Sequence, residues 1–292
     1  MVCRLKAWRR EQYLADIGAA MSNLQLRIVS GVILAIVVLG LTWLGGWPFR
    51  LLAALIGALI FHEWTSVSGL LRRDRPLFGA AWLLVAIALA ALVAGVEGTV
   101  VLILALVPTL FIAATSFARP LGGLAALGMA YALLPAISLA FLRSDTSSGF
   151  IAILYLFAVV WATDILAYFV GRAIGGPKLA PSISPGKTWS GAVGGAVAAT
   201  IAGFAVALAV GHPQPILMAA LALPLSILSQ AGDLFESGFK RRYGAKDSGN
   251  LIPGHGGVMD RVDGLVAAAL ALYLAGWAIA GPAMPSAGLF PG

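Results

Sequence analysis

Apolar runs long enough to cross a bilayer follow one another from residue 26 to residue 281, and they leave this 292-residue chain little choice of fold. A transmembrane helix needs roughly 20 consecutive apolar residues. About nine such runs are present, near 26–46, 50–69, 77–95, 98–118, 121–142, 149–171, 190–211, 215–236 and 262–281. Inside hydrocarbon each backbone N–H and C=O must be satisfied within its own segment, which selects helices. The expected fold is therefore all-α: a polytopic integral membrane protein of about nine transmembrane helices. Only 11% of the residues are charged and 60% are hydrophobic; soluble domains carry roughly 25% charged residues, so a globular domain with a large core is excluded. Proline and glycine punctuate the gaps, as at Gly45-Gly46-Trp47-Pro48, Arg119-Pro120, Gly176-Pro177 and His212-Pro213.

The cations set the orientation. All but two of the 19 Lys and Arg residues lie on the amino-terminal side, up to Arg27 at the start of the first run, or in the even-numbered gaps; the exceptions are Arg50 and Arg143. The positive-inside rule then places the amino terminus in the cytoplasm and the carboxyl terminus outside, as a multi-pass protein of the cell (inner) membrane. One missed span would scramble this alternation. A net charge of +7 does not point to nucleic acid, because the cations sit in short loops rather than on the face of a soluble fold. They fit topology signals and contacts with anionic lipids of the bilayer. The single cysteine, Cys3, excludes a disulfide framework and a cysteine metal cluster.

Residues 1–25 read as a basic arm. Arg4, Lys6, Arg9 and Arg10 suit an interfacial helix, or a start-site extension ahead of Met21-Ser22-Asn23. The run that follows is too long for a cleaved signal peptide. The remaining division is an amino-terminal set of helices over 26–148, a catalytic region over 149–281 with cytoplasmic loops 172–189 and 237–261, and a tail over 282–292.

The segment from Ser237 to Asp263 breaks the apolar pattern most sharply. Polar atoms at such density in a membrane protein must be hydrated, paired or bound to a ligand. Asp233, Glu236, Ser237 and Lys240 stand at i, i+3, i+4 and i+7, so they line one side of the eighth helix. Asp260 and Asp263 open the ninth at i and i+3. Carboxylates from both helices are expected to converge at the cytoplasmic mouth, where hard oxygen ligands suit magnesium completed by phosphate and water. The competing reading is an ion-pair lattice with Arg241 and Arg261. Gly254, Gly256 and Gly257 around His255 let the backbone approach a phosphate and present N–H groups to it. The helix beginning at Val258-Met259-Asp260 points its positive end the same way. His255 has no second histidine beside it, which argues against zinc and for a hydrogen bond to phosphate or a neighbouring carboxylate. Glu63 lies apart from this group, in the second run; a structural pair and a functional role fit it equally.

A second polar island runs from Lys178 to Trp189. Gly186-Lys187-Thr188 is not a P-loop, since Pro181 stands where that motif needs glycine and no strand is expected before it. Lys178, Ser182, Ser184 and Lys187 suit phosphate or a lipid headgroup.

At these residues the chain resembles the phosphatidate cytidylyltransferases, also called CDP-diacylglycerol synthases. The family signature maps without a gap onto Ser237, Lys240, Arg241, Lys246, Asp247, Gly249, His255, Gly256, Gly257, Asp260, Arg261 and Asp263. It extends upstream through Trp161, Asp164, Tyr168, Lys178, Ser184, Lys187-Thr188-Trp189 and Gly232-Asp233. Roughly the carboxyl-terminal half is covered; the first five spans match mainly in hydropathy. Gly186 and Ser190 depart from the family pattern of lysine and acid.

The resemblance implies an enzyme that joins CTP to phosphatidate, giving CDP-diacylglycerol and pyrophosphate. It implies Mg2+ on Asp233 and Asp260, with a monovalent cation such as K+ as an option beside it; Asp263, three residues on from Asp260, is expected in support. Lys240, Arg241, Lys246 and Arg261 would hold the CTP phosphates; Ser184, Lys187 and Ser237 would lie near the lipid phosphate. Homo-oligomerisation stays open. Two rivals remain: a CTP-dependent transferase for another lipid phosphate or polyprenol, and an ion-coupled secondary transporter. The second lacks the internal repeats expected of many transporters, and its acids would sit at mid-membrane rather than at one face.

Overall fold

The computed structural model describes residues 23–252 and 255–290. Residues 1–22 of the basic arm expected over 1–25, Cys3 among them, and Gly254 lie outside the described residues; the last three residues of the arm belong to the first helix. Among the described residues, nine helices are long and apolar enough to cross a membrane. They are α1 (Asn23–Leu44), α2 (Gly46–Ser68), α3 (Arg75–Val93), α4 (Gly98–Ala114), α5 (Gly122–Arg143), α6 (Ser147–Ile174), α7 (Trp189–Ala209), α8 (Pro215–Arg242) and α9 (Met259–Ala280). Each expected run holds one of them, so the all-α polytopic fold stands.

Two of the helices are longer than a bilayer requires. α6 and α8 have 28 residues each, about 42 Å at 1.5 Å per residue, against a hydrocarbon core of about 30 Å. Their carboxyl-terminal turns therefore leave the apolar zone, and these turns carry Arg172 and Lys240, Arg241 and Arg242. The site grows from these protruding ends.

α5 is the hub and packs on α2, α3, α4, α6 and α9. α6 and α7 make the closest helix pair, and the sequence of α7 explains why. Gly191, Gly195, Ala199, Gly203 and Ala207 recur every four residues and all are buried. A Cβ on Gly195 would stand 2.7 Å from the Thr163 carbonyl oxygen, and one on Gly191 2.6 Å from that of Ala167. Small residues at this spacing let two backbones approach where lipid supplies no hydrophobic drive. The opposite face of α7, with Val193, Val197, Ile201 and Leu208, is exposed, as a lipid-facing surface should be.

Charges segregate to the two ends of the bundle. At one end Arg50 pairs with Asp145 at 3.2 Å. Nearby, buried Arg143 donates to the Thr42 and Trp43 carbonyls at 2.5 and 3.2 Å, satisfying the last turn of α1. At the other end, the end of the protruding tips of α6 and α8, Arg119 pairs with Asp74 at 3.1 Å.

Two segments depart from expectation. The loop over 172–189 contains an antiparallel hairpin, β1 (Lys178–Ala180) and β2 (Ser184–Thr188), with Lys178 opposite Thr188 and Ala180 opposite Ser184. A strand does precede Gly186-Lys187-Thr188, correcting the expectation of none; those residues are themselves extended, so no phosphate loop forms there. The tail contains a short helix, α10 (Pro285–Leu289), which folds back onto α9.

Candidate active site

A cavity of about 750 Å³ opens between α6, the hairpin, α7 and α8. Asp164 and Arg172 reach it from α6, Lys178, Ser184, Lys187 and Thr188 from the hairpin, and Gln230 and Asp233 from α8. Gly171, Gly175, Gly176, Gly186 and Gly191 also line it. The volume lies within the range of ordinary ligand sites. Its wall carries both signs of charge on one side of the bundle, as a phosphorylated ligand and a cation together require.

Lys187 is ion-paired with Asp233 across this wall, and Ser237 Oγ donates to Asp233 Oδ1 at 3.3 Å. The hairpin register places the lysine: Thr188 caps α7 by accepting the Gly191 N–H at 3.1 Å, which fixes the preceding residue over α8. Asp263 lies within electrostatic reach of Asp233, Asp164 and Lys187, and its Oδ1 accepts the Gly264 N–H at 2.8 Å. Glu236 lies within reach of both Asp263 and Asp260. The acids of α6, α8 and α9 thus form one ridge at the charged end.

Asp260 sits at the far end of that ridge. Lys240 Nζ donates to its Oδ1 at 2.6 Å. The Ser248 N–H is shared between its two oxygens at 3.1 and 3.0 Å, and the Gly257 N–H donates to Oδ2 at 2.8 Å. Lys240 Nζ also lies 2.7 Å from Glu236 Oε2. That ion pair engages Oε2 and leaves Glu236 Oε1 buried without a hydrogen-bond partner among the described residues.

Lys240, the loop amides, His255 and the arginines are engaged otherwise than expected. Lys240 does not stand free to hold CTP phosphates; it is buried and committed to Asp260 and Glu236. The amides after the glycine pair do not present themselves to phosphate. Gly257 N–H goes to Asp260, while Val258 and Met259 N–H go to Glu63. Gly256 is needed for a different reason: its φ is +87°, and a Cβ would meet Asp260 Oδ2 at 2.8 Å. His255 Nδ1 is 2.8 Å from Ser30 Oγ of α1. The ion pairs of the ridge are made by lysines, not by Arg241 and Arg261. Arg241 donates to the Ala245 carbonyl at 3.2 Å, and Arg241, Lys246 and Arg261 are exposed at the same end.

Among the described residues, no three His, Cys, Asp or Glu side chains form a ready-made metal cage. Magnesium does not need one, since it takes one or two carboxylates and completes its shell with water and phosphate. The donor set fits. Asp233 and Asp260 each already hold an ammonium group, and Glu236 Oε1 is buried in the same ridge without a hydrogen-bond partner among the described residues.

Together these features define a helical, polytopic membrane protein with a two-signed polar site at one end of its bundle. The chain belongs to the cytidylyltransferase family, whose model matches residues 25–278. It is 51% identical over 271 residues to the phosphatidate cytidylyltransferase of Brucella suis biovar 1 (strain 1330), covering 92% of this chain and 99% of that protein. The phosphatidate cytidylyltransferase of Bacillus subtilis (strain 168) is 46% identical over 123 residues, 42% of this chain and 46% of that protein. That of Haemophilus influenzae (strain ATCC 51907 / DSM 11121 / KW20 / Rd) is 46% identical over 129 residues, 42% of this chain and 45% of that protein.

Proposed function

We propose that this protein is a nucleotidyltransferase that moves the cytidylyl group of CTP onto phosphatidate, releasing pyrophosphate and forming CDP-diacylglycerol. The observation that carries the reading is the Lys187–Asp233 pair in the wall of a cavity that also presents Lys178, Arg172 and Ser184. A phosphate oxygen of phosphatidate attacks the α-phosphorus of CTP, and the bond from that phosphorus to the α–β bridging oxygen breaks. The attacking oxygen is already anionic at neutral pH, so no strong general base is required. The barrier is the approach of one polyanion to another, and catalysis comes from positioning and charge screening.

The residues divide that work. Lys187, Lys178 and Ser184 hold the lipid phosphate in the cavity, and Ser237 orients Asp233. Arg241, Lys246 and Arg261, exposed at the same end, gather the triphosphate. Lys240 balances Asp260 and Glu236 and fixes the α8–α9 angle. Asp233 and Asp260 would hold Mg2+, with Asp263 in support. When bound, the ion supplies Lewis-acid stabilisation of the phosphoryl charge that develops. The site faces the cytoplasm, where CTP is, which agrees with the loop cations and the positive-inside rule.

The test is product identity. Purified protein in detergent, given labelled CTP with phosphatidate or with a polyprenyl phosphate, is expected to label only the first lipid. Label in the polyprenyl product alone would move the reading to another lipid acceptor.

A further inference from the structure

Glu63 lies in α2, at the charged end of the bundle and far in sequence from the signature residues, and the account above leaves it unused. It is 2% exposed. A carboxylate this deep in a membrane protein is costly unless hydrogen bonds satisfy it. Its partners all belong to the segment that carries Asp260. Oε1 accepts the Val258 N–H at 2.8 Å, while Oε2 accepts the Met259 N–H at 2.7 Å and the Ser248 hydroxyl at 2.8 Å. α9 has no side-chain cap of its own at Val258. Glu63 therefore supplies from another helix the cap that the first amides of α9 lack.

The loop is shaped around this carboxylate. A Cβ on Gly249 would lie 3.1 Å from Glu63 Oε1, and one on Gly257 2.6 Å from Oε2. Both glycines make room for it. Ser248 and Gly257 are also the residues whose N–H groups hold Asp260. Glu63 and Asp260 thus hold the same two stretches of chain, at Ser248 and at Gly257–Met259.

We infer that Glu63 is a positioning residue for the transfer reaction: it ties Ser248 to Val258 and Met259 at the start of α9 and so sets Asp260 for the nucleotide. The inference rests on the proposed function. The carboxylate is specific to the task, because three donors converge on two oxygens. Glutamine has the same shape, yet it turns one acceptor into a donor facing a backbone N–H.

The experiment is steady-state kinetics of purified Glu63→Gln protein in detergent, varying CTP and phosphatidate separately. KM for CTP is expected to rise about tenfold, the scale of one lost charge-assisted bond, with KM for phosphatidate unchanged. Ser248→Ala keeps both backbone bonds and is expected to raise KM for CTP by a smaller factor; it carries the readout if Glu63→Gln does not fold. A loss confined to kcat, equal rises in both KM values, or wild-type kinetics would overturn the inference. Wild-type protein that forms no CDP-lipid would instead overturn the proposed function.

Discussion

Lys240 Nζ stands 2.6 Å from Asp260 Oδ1 and 2.7 Å from Glu236 Oε2, so one buried ammonium joins α8 to α9 at the charged end of the bundle. Removing one member of a buried ion pair leaves an uncompensated charge, at a cost of about 3–5 kcal/mol. Lys240→Met is therefore expected to lower the Tm of the detergent-solubilised protein. Adding Glu236→Gln should recover part of the loss, since Glu236 is only 1% exposed and would no longer carry charge. An unchanged Tm in Lys240→Met would remove the ion pair from the account.

Asp233 and Asp260 should part company in stability while agreeing in activity. The Lys187–Asp233 pair is roughly a quarter exposed on each side, whereas Asp260 is 5% exposed and fully hydrogen-bonded. Asp233→Asn is expected to keep the wild-type Tm and Asp260→Asn to lose several degrees. Both should lose turnover on the order of 100-fold or more, the scale of a lost charge-stabilising group. Circular-dichroism melts and CTP-dependent turnover, taken on the same preparations, separate the two effects.

The α6–α7 contact gives a prediction independent of chemistry. Gly195→Leu forces a side chain against the Thr163 carbonyl, where even a Cβ would sit at 2.7 Å. Overpacking of this kind costs about 1–3 kcal/mol. Val197→Leu, on the exposed face of the same helix, should have no effect. Size-exclusion profiles and melts of the two variants compare the faces directly.

Orientation is testable by labelling. In a Cys3→Ser background, Lys246→Cys and Asp145→Cys place single thiols at opposite ends of the bundle. An impermeant maleimide is expected to label Asp145→Cys in intact cells and Lys246→Cys only after permeabilisation. The reverse pattern would invert the protein and put the site outside.

The spans were legible because length and apolarity decide a membrane helix almost alone. The small-residue stripe from Gly191 to Ala207 was equally legible and was missed, since hydropathy does not distinguish glycine facing a helix from glycine facing lipid. The hairpin was hidden in a loop of prolines and glycines with no alternating pattern. The acids of α8 and α9 read from the sequence as one group, but their partners do not. Spacing along a helix gives a shared face; it does not say which ammonium arrives from elsewhere, as Lys187 does from the hairpin. Glu63 was least legible of all. Its partners include two backbone amides nearly 200 residues away, and backbone amides leave no mark in a sequence.

The central claim is that this end of the bundle joins a water-borne triphosphate to a membrane-borne phosphate. The most direct measurement is pyrophosphate release by purified protein in detergent with CTP and Mg2+, with and without phosphatidate, alongside Asp233→Asn. The account predicts release that needs phosphatidate, is matched by CDP-diacylglycerol formed, and vanishes in the variant. Pyrophosphate release that ignores phosphatidate, or that persists in Asp233→Asn, would contradict it.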